Sequence, residues 1–240
     1  MVRALLAQLL TALGFLTRLP VPRRDREAAG GDAPLALVLA AGVVGVLAAG
    51  AAWLCHWLAG AIAGALLGGM LVPSFLWWLT RARGLRALLS VAQSQEDSAA
   101  RPDDYLLRLA AFQAILAIKL LATGLLIHSG ATLWLFVVWL LVGSVFAEEM
   151  GSALGTREGQ AAAPSWQWGA TAVGSIVAGG LLGQFMGALL LVVVIWLGRP
   201  AARRWLAGHA DLHGIAFSWL LAEATETAVL LLATLIVFAR

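Results

Sequence analysis

The stretch APLALVLAAGVVGVLAAGAAWLCHWLAGAIAGALLGGMLVPSFLWWLT, from Ala33 to Thr80, contains no Asp, Glu, Lys or Arg. A membrane-crossing helix needs about 20 consecutive apolar residues, so this one stretch has room for two. Two further uncharged blocks follow, Leu120 to Ala147 and Gly159 to Gly198. In hydrocarbon an unpaired backbone amide costs several kcal/mol, which leaves only helices and closed barrels as spanning structures. The alternation of a barrel strand is absent. Composition agrees: hydrophobic residues make up 61% of the 240 and charged residues 12%, with a mean hydropathy of +0.89. A soluble domain carries about a quarter charged residues.

The sequence predicts an all-α integral membrane protein, a polytopic bundle of about six or seven transmembrane helices in a single domain, residues 1–240. Residues 1–33 form an N-terminal amphipathic or re-entrant segment and a cytoplasmic loop, and residues 34–240 form the bundle. Predicted spans are Pro34 to Leu54, Trp57 to Leu79, Leu106 to Ile127, Ala131 to Ala147, Trp168 to Gly183, Gln184 to Gly198 and Ile215 to Phe238. Trp168 to Gly198 reads equally as one long tilted helix or as a hairpin pivoting near Gly183 and Gln184. Gly42, Gly45 and Gly50, then Gly60, Gly64, Gly68 and Gly69, have the small-residue spacing that lets helix backbones approach closely in lipid. Trp53, Trp57, Trp77, Trp78, Trp134, Trp139, Trp166, Trp168 and Trp196 fall near span ends and read as interfacial anchors.

Arginine sets the orientation. With a cytoplasmic N-terminus, nearly every arginine falls in a cytoplasmic segment, among them Arg18, Arg81, Arg83, Arg86, Arg199, Arg203 and Arg204. The bacterial inner membrane is the expected location, with the lipid bilayer as the principal partner. The pI near 10.0 therefore reports topology and anionic headgroups. No basic run is interleaved with stacking aromatics, so nucleic acid is not expected as a partner. Arg18 and the prolines at 20 and 22 fit no cleavable signal peptide, and the single Cys55 rules out an internal disulfide. No nucleotide-binding, zincin or nucleophile-elbow motif occurs.

Charge at membrane depth is expensive and usually partnered. Lys119, the only lysine in the chain, lies mid-span. Glu223 and Glu226 stand three apart on one face of the last helix. They predict a buried ion pair with Lys119, a polar pocket for substrate or metal, or a proton relay. His209, Asp211 and His213 form H-x-D-x-H at ligand spacing, without further ligands nearby. Glu148 and Glu149 read as a solvated cap on the cytoplasmic end of the fourth span.

Phe15-Leu16-Thr17-Arg18-Leu19-Pro20-Val21-Pro22 resembles the N-terminal signature of the cobalamin synthase family, the adenosylcobinamide-GDP ribazoletransferases. The segment from Gly208-His209 through Glu223-Ala224-Thr225-Glu226 to Leu231 is similar to that family's last motif, and Lys119 stands where the family has a lysine. The resemblance implies a membrane enzyme of cobalamin biosynthesis. Such an enzyme joins α-ribazole or its 5′-phosphate to GDP-activated adenosylcobinamide and releases GMP, with Mg²⁺ as cofactor. It also implies a corrinoid or nucleotide-activated substrate, and pathway proteins or a second copy as partners; substrate contacts are expected at Arg18, Lys119, His209, Glu223 and Glu226, and at Arg81 and Arg83, where the sequence departs from the family pattern. The family takes its metal ligands from H-L-D-G-L-A-D-T-x-D-G and from a later T-G-D. Here the corresponding positions read Trp77-Trp78-Leu79-Thr80-Arg81-Ala82-Arg83-Gly84-Leu85-Arg86 and Gly214-Ile215-Ala216. The expectation is a diverged member, a pseudoenzyme in the Mg²⁺-dependent transferase sense. The alternatives are a working enzyme with Asp97, Asp103 or Asp104 as replacement metal ligands, a non-catalytic binder of a corrinoid, nucleotide or partner protein, and a small transporter built on Lys119, Glu223 and Glu226.

Overall fold

The computed structural model describes residues 2–18, 33–93, 102–158, 166–181, 183–209 and 215–239. Among these residues every element is a helix: α1 (Val2–Leu16), α2 (Ala33–Leu79), α3 (Arg83–Gln93), α4 (Pro102–His128), α5 (Trp134–Glu158), α6 (Trp166–Leu181), α7 (Phe185–His209) and α8 (Ile215–Phe238). Four stretches are long and apolar enough to cross a membrane: 35–79, 109–128, 185–205 and 216–238. The expected six or seven exceeds this count, in which α2 stands once although it carries two of the expected spans. Helix α6 has only 16 residues, and the apolar half of α5 runs into Glu148 and Glu149.

The long α2 is two arms. Gly60 adopts φ 74 and ψ −179, a conformation that breaks the helical ladder and is open chiefly to glycine. Beyond it the second arm folds back on the first. A Cβ at Gly64 would lie 2.7 Å from the Cys55 carbonyl oxygen and 2.9 Å from the His56 Cα. The turn therefore falls a few residues after the Cys55–His56 boundary read from the sequence. The small residues then set the neighbours. A Cβ at Gly45 would meet the Phe136 Cα at 3.0 Å, so the first arm lies directly on α5. Gly69 faces the Leu120 carbonyl and Gly124, so the second arm lies on α4.

Helix α5 occupies the centre, packed by α2, α6 and α8. It is apolar all round, as a helix surrounded by protein must be, and Val137, Val138, Leu141 and Val145 are fully buried. Trp134 and Trp139 depart from the interfacial reading because they point into this core. Trp134 is 0% exposed, and its Nε1 donates to Gln184 Oε1 at 2.6 Å. Trp53, Trp57, Trp78 and Trp196 are more than half exposed, as anchors should be. Helices α6 and α7 form the hairpin rather than the single long helix, turning at Gly183, where φ is 64. Helix α1 buries Ala12 and Leu16 and leaves Leu6 and Leu10 exposed. It docks on the end of α2, where the Arg18 amide donates to the Leu79 carbonyl at 2.8 Å.

Candidate functional site

Helices α4 and α8 meet at a buried ionic triad. The Lys119 ammonium pairs with both the Glu223 and Glu226 carboxylates, the latter at 2.7 Å. Lys119 is 1% exposed, Glu223 6% and Glu226 9%. The three-residue spacing puts both acids on one face, and the expected pairing is present. Glycine at position 84 makes room for it. A Cβ there would stand 3.0 Å from the Glu223 Cδ and 3.2 Å from its Cβ. Above the triad is a cavity of about 20 Å³, lined by Thr80, Gly84, Trp139, Trp219, Glu223 and Glu226 among others. That is room for about one water.

Trp219 also lines a larger cleft of about 500 Å³ whose other walls are Phe15, Arg83, Arg86, Ala87, Ser90 and Ala216. The chain reaches it through two consecutive left-handed residues, Arg81 at φ 59 and Ala82 at φ 49. Non-glycine residues rarely adopt that region, and such strain collects at functional sites. The Arg83 guanidinium donates to the Phe15 carbonyl. It lies 5.2 Å from the Phe15 ring and 5.5 Å from the Trp219 ring, within cation–π range. Burial, and then repulsion from Arg81 and Arg86, lowers its pKa from the usual guanidinium value. The Trp219 Nε1 is buried without a hydrogen-bond acceptor among the described residues.

The cleft unites two segments that are far apart in sequence, the α2–α3 junction and the start of α8. These are the segments where the resemblance led to an expectation of acids. Arg83 and Arg86 stand on one side and Ala216 on the other.

A second ionic cluster joins α5 to α7 and corrects the reading of Glu148 and Glu149 as a solvated cap. Glu148 pairs with Arg199 and accepts from Trp168 Nε1 at 2.7 Å, while Glu149 is 5% exposed and pairs with Arg203 at 3.2 Å. Burial raises the Glu149 pKa, against a smaller opposite pull from Arg203. The partners lie some fifty residues on, so a pair of acids read by itself resembles a cap. Phe146 links this cluster to the cleft, with ring centroids 6.1 Å from Phe15 and 4.6 Å from Trp219. Arg18 joins the same end, with its guanidinium 5.8 Å from the Trp78 ring.

Of the residues expected at the site, Arg83 lines the cleft and Lys119, Glu223 and Glu226 form the triad beneath it. Arg81 is exposed at the strained junction and Arg18 is exposed beside Trp78. Asp97, Asp211 and His213 lie outside the described residues. Asp103, Asp104 and His209 belong to α4 and α7, with side chains outside the described set. The residue missed was Trp219. Its position four before Glu223 and seven before Glu226, on the same helix face, was the available signal.

Mg²⁺ demands oxygen donors, usually carboxylates. The cleft walls offer guanidinium groups, an indole N–H and one hydroxyl that already donates to the Ala87 carbonyl at 2.8 Å. Among the described residues no group of three His, Cys, Asp or Glu could hold a metal. This lining does not fit the ion.

No curated protein and no solved structure matches the chain. Residues 8–88 match the family described as Cobalamin-5-phosphate synthase, a stretch that includes both the N-terminal octapeptide and the arginine wall of the cleft. Taken with the apolar helices, that match supports a membrane protein of the cobalamin synthase family and, in general terms, a function in cobalamin biosynthesis.

Proposed function

We propose that this chain is a diverged cobalamin synthase that retains the family's bundle and substrate cleft and has lost most Mg²⁺-dependent ribazole transfer. The observation that carries the reading is the meeting of Arg83, Arg86 and Ala216 in one cleft. Two separate departures from the expected acids thereby become one altered site. Phosphoryl transfer needs electrostatic clamping of the charge that develops on the phosphates, and metal ions are its usual source. Arginines supply positive charge but do not lower the pKa of an attacking alcohol by coordinating it. The buried triad supports the floor of the cleft.

On this reading the protein is a multi-pass chain of the bacterial inner membrane with a cytoplasmic N-terminus. The clustering of Arg18, Arg83, Arg199 and Arg203 near one end of the bundle favours that end as the cytoplasmic one. Cysteine labelling from outside intact cells should leave positions 86 and 203 unmodified, and strong external labelling of either would overturn the orientation. Complementation tests the function. A strain lacking its own cobalamin synthase, supplied with this chain, should not grow on cobinamide, and robust growth would overturn the reading.

A further inference from the structure

Arg81, Arg83 and Arg86 crowd the first turn of α3 and the residues before it. None has a carboxylate within ion-pairing distance among the described residues, where every salt bridge lies elsewhere. The arrangement works against itself. Like charges repel, burial and then Arg81 and Arg86 lower the Arg83 pKa, and a helix N-terminus already carries partial positive charge. Basic residues belong at the other end of a helix. Here they also follow two strained left-handed residues, so the chain holds them in place against both local electrostatics and backbone preference.

Arg83 and Arg86 are donors only, and Ser90, whose proton goes to the Ala87 carbonyl, offers the one acceptor among these polar side chains. The volume, about 500 Å³, lies in the range of small-molecule sites, and Phe15 and Trp219 supply apolar wall.

We infer that the cleft binds a phosphoryl anion directly, through the Arg83 and Arg86 guanidinium groups, with no bridging divalent cation. The inference rests on the reading of this cleft as the substrate site, and binding is separable from transfer. Planar guanidinium forks match phosphoryl oxygens two bonds at a time. A bridging cation would need oxygen acceptors from the wall and would face two fixed positive charges instead. The same chemistry describes a soluble phosphate ester and a phospholipid headgroup.

The test uses full-length protein in phosphatidylcholine nanodiscs, titrated calorimetrically with inorganic pyrophosphate in EDTA and then in excess Mg²⁺. Binding should occur in EDTA and should not tighten with Mg²⁺. Arg86 is exposed, so Arg86→Gln should fold normally and weaken binding by about tenfold or more, the loss of one charge-assisted bidentate contact. Arg204→Gln, on α7 and outside the cleft lining, should leave it unchanged. Repeating the titration in phosphatidylglycerol nanodiscs separates the two sources. Competition assigns the site to a headgroup, and unchanged affinity assigns it to a soluble phosphate, with dependence on Arg86 required in both cases. Absence of binding in EDTA, an absolute need for Mg²⁺, or wild-type affinity in Arg86→Gln would overturn the inference. Transfer activity tests the functional reading independently, so the two can fail separately.

Discussion

Two groups of charges lie within a few side chains of each other and are treated in opposite ways. In the triad, one ammonium meets two carboxylates inside the bundle, all three nearly inaccessible. In the cleft, arginines stand beside one another with no carboxylate among the described residues. Depth explains the difference. A charge at the centre of a bundle must be matched mainly from within the protein, because bulk water does not solvate it. Charges at the rim can wait for a partner from outside. The triad is therefore a structural feature whose loss should show in stability. The cleft should show in binding and leave stability almost untouched.

The sharpest break of this contrast is at Lys119. Removing one member of a buried pair typically costs about 3–5 kcal/mol, so Lys119→Met should lower the melting temperature in detergent more than any other single change considered. Adding Glu223→Gln and Glu226→Gln should recover much of the loss. Lys119→Met with wild-type stability would show that the triad is not structural. Gly84→Ala comes next. Its Cβ would crowd the Glu223 side chain, and overpacking typically costs about 1–3 kcal/mol. A melting temperature equal to wild type would mean that the carboxylate has slack.

Smaller effects sharpen the picture. Burial raises the Glu149 pKa, and Glu149 lies beyond Ala147, outside the apolar span. The folded protein then holds a proton more readily than the unfolded chain, so this group's contribution to stability falls as pH rises through the raised value. Glu149→Gln should be more stable than wild type at alkaline pH, with the difference closing as pH falls through that window. A gap of constant size would assign the effect to the Arg203 contact, which is half exposed and worth little by itself. Smallest of all, Arg86→Gln should change stability by no more than about 0.5 kcal/mol. A large loss would make Arg86 part of the scaffold and erase the contrast.

The sequence made the membrane bundle legible because the absence of charge over long blocks is a strong physical signal. It also exposed the triad, since a single lysine at depth needs a partner and two glutamates on one face of an apolar helix were the candidates at matching depth. Other features depended on pairings that no local pattern carries. Glu148 and Glu149 find Arg199 and Arg203 only after α6 and α7 fold back. Trp134 looks interfacial until Gln184 arrives beside it. The cleft itself was half legible. The substitutions at Arg81 to Arg86 and at Ala216 were visible as separate departures, but only the packing of α3 against α8 makes them one site.

The altered cleft should no longer support metal-dependent transfer. The direct measurement is the rate at which the purified protein joins α-ribazole phosphate to GDP-activated cobinamide, followed across a Mg²⁺ titration beside a family member with intact aspartates. Metal and electrostatic clamps supply several kcal/mol, and each 1.4 kcal/mol is about tenfold in rate. The expected rate is therefore lower by about a thousandfold or more, with little response to Mg²⁺. A rate comparable to the intact enzyme, rising with Mg²⁺ and abolished by Asp103→Ala or Asp104→Ala, would contradict the account and identify those carboxylates as replacement ligands.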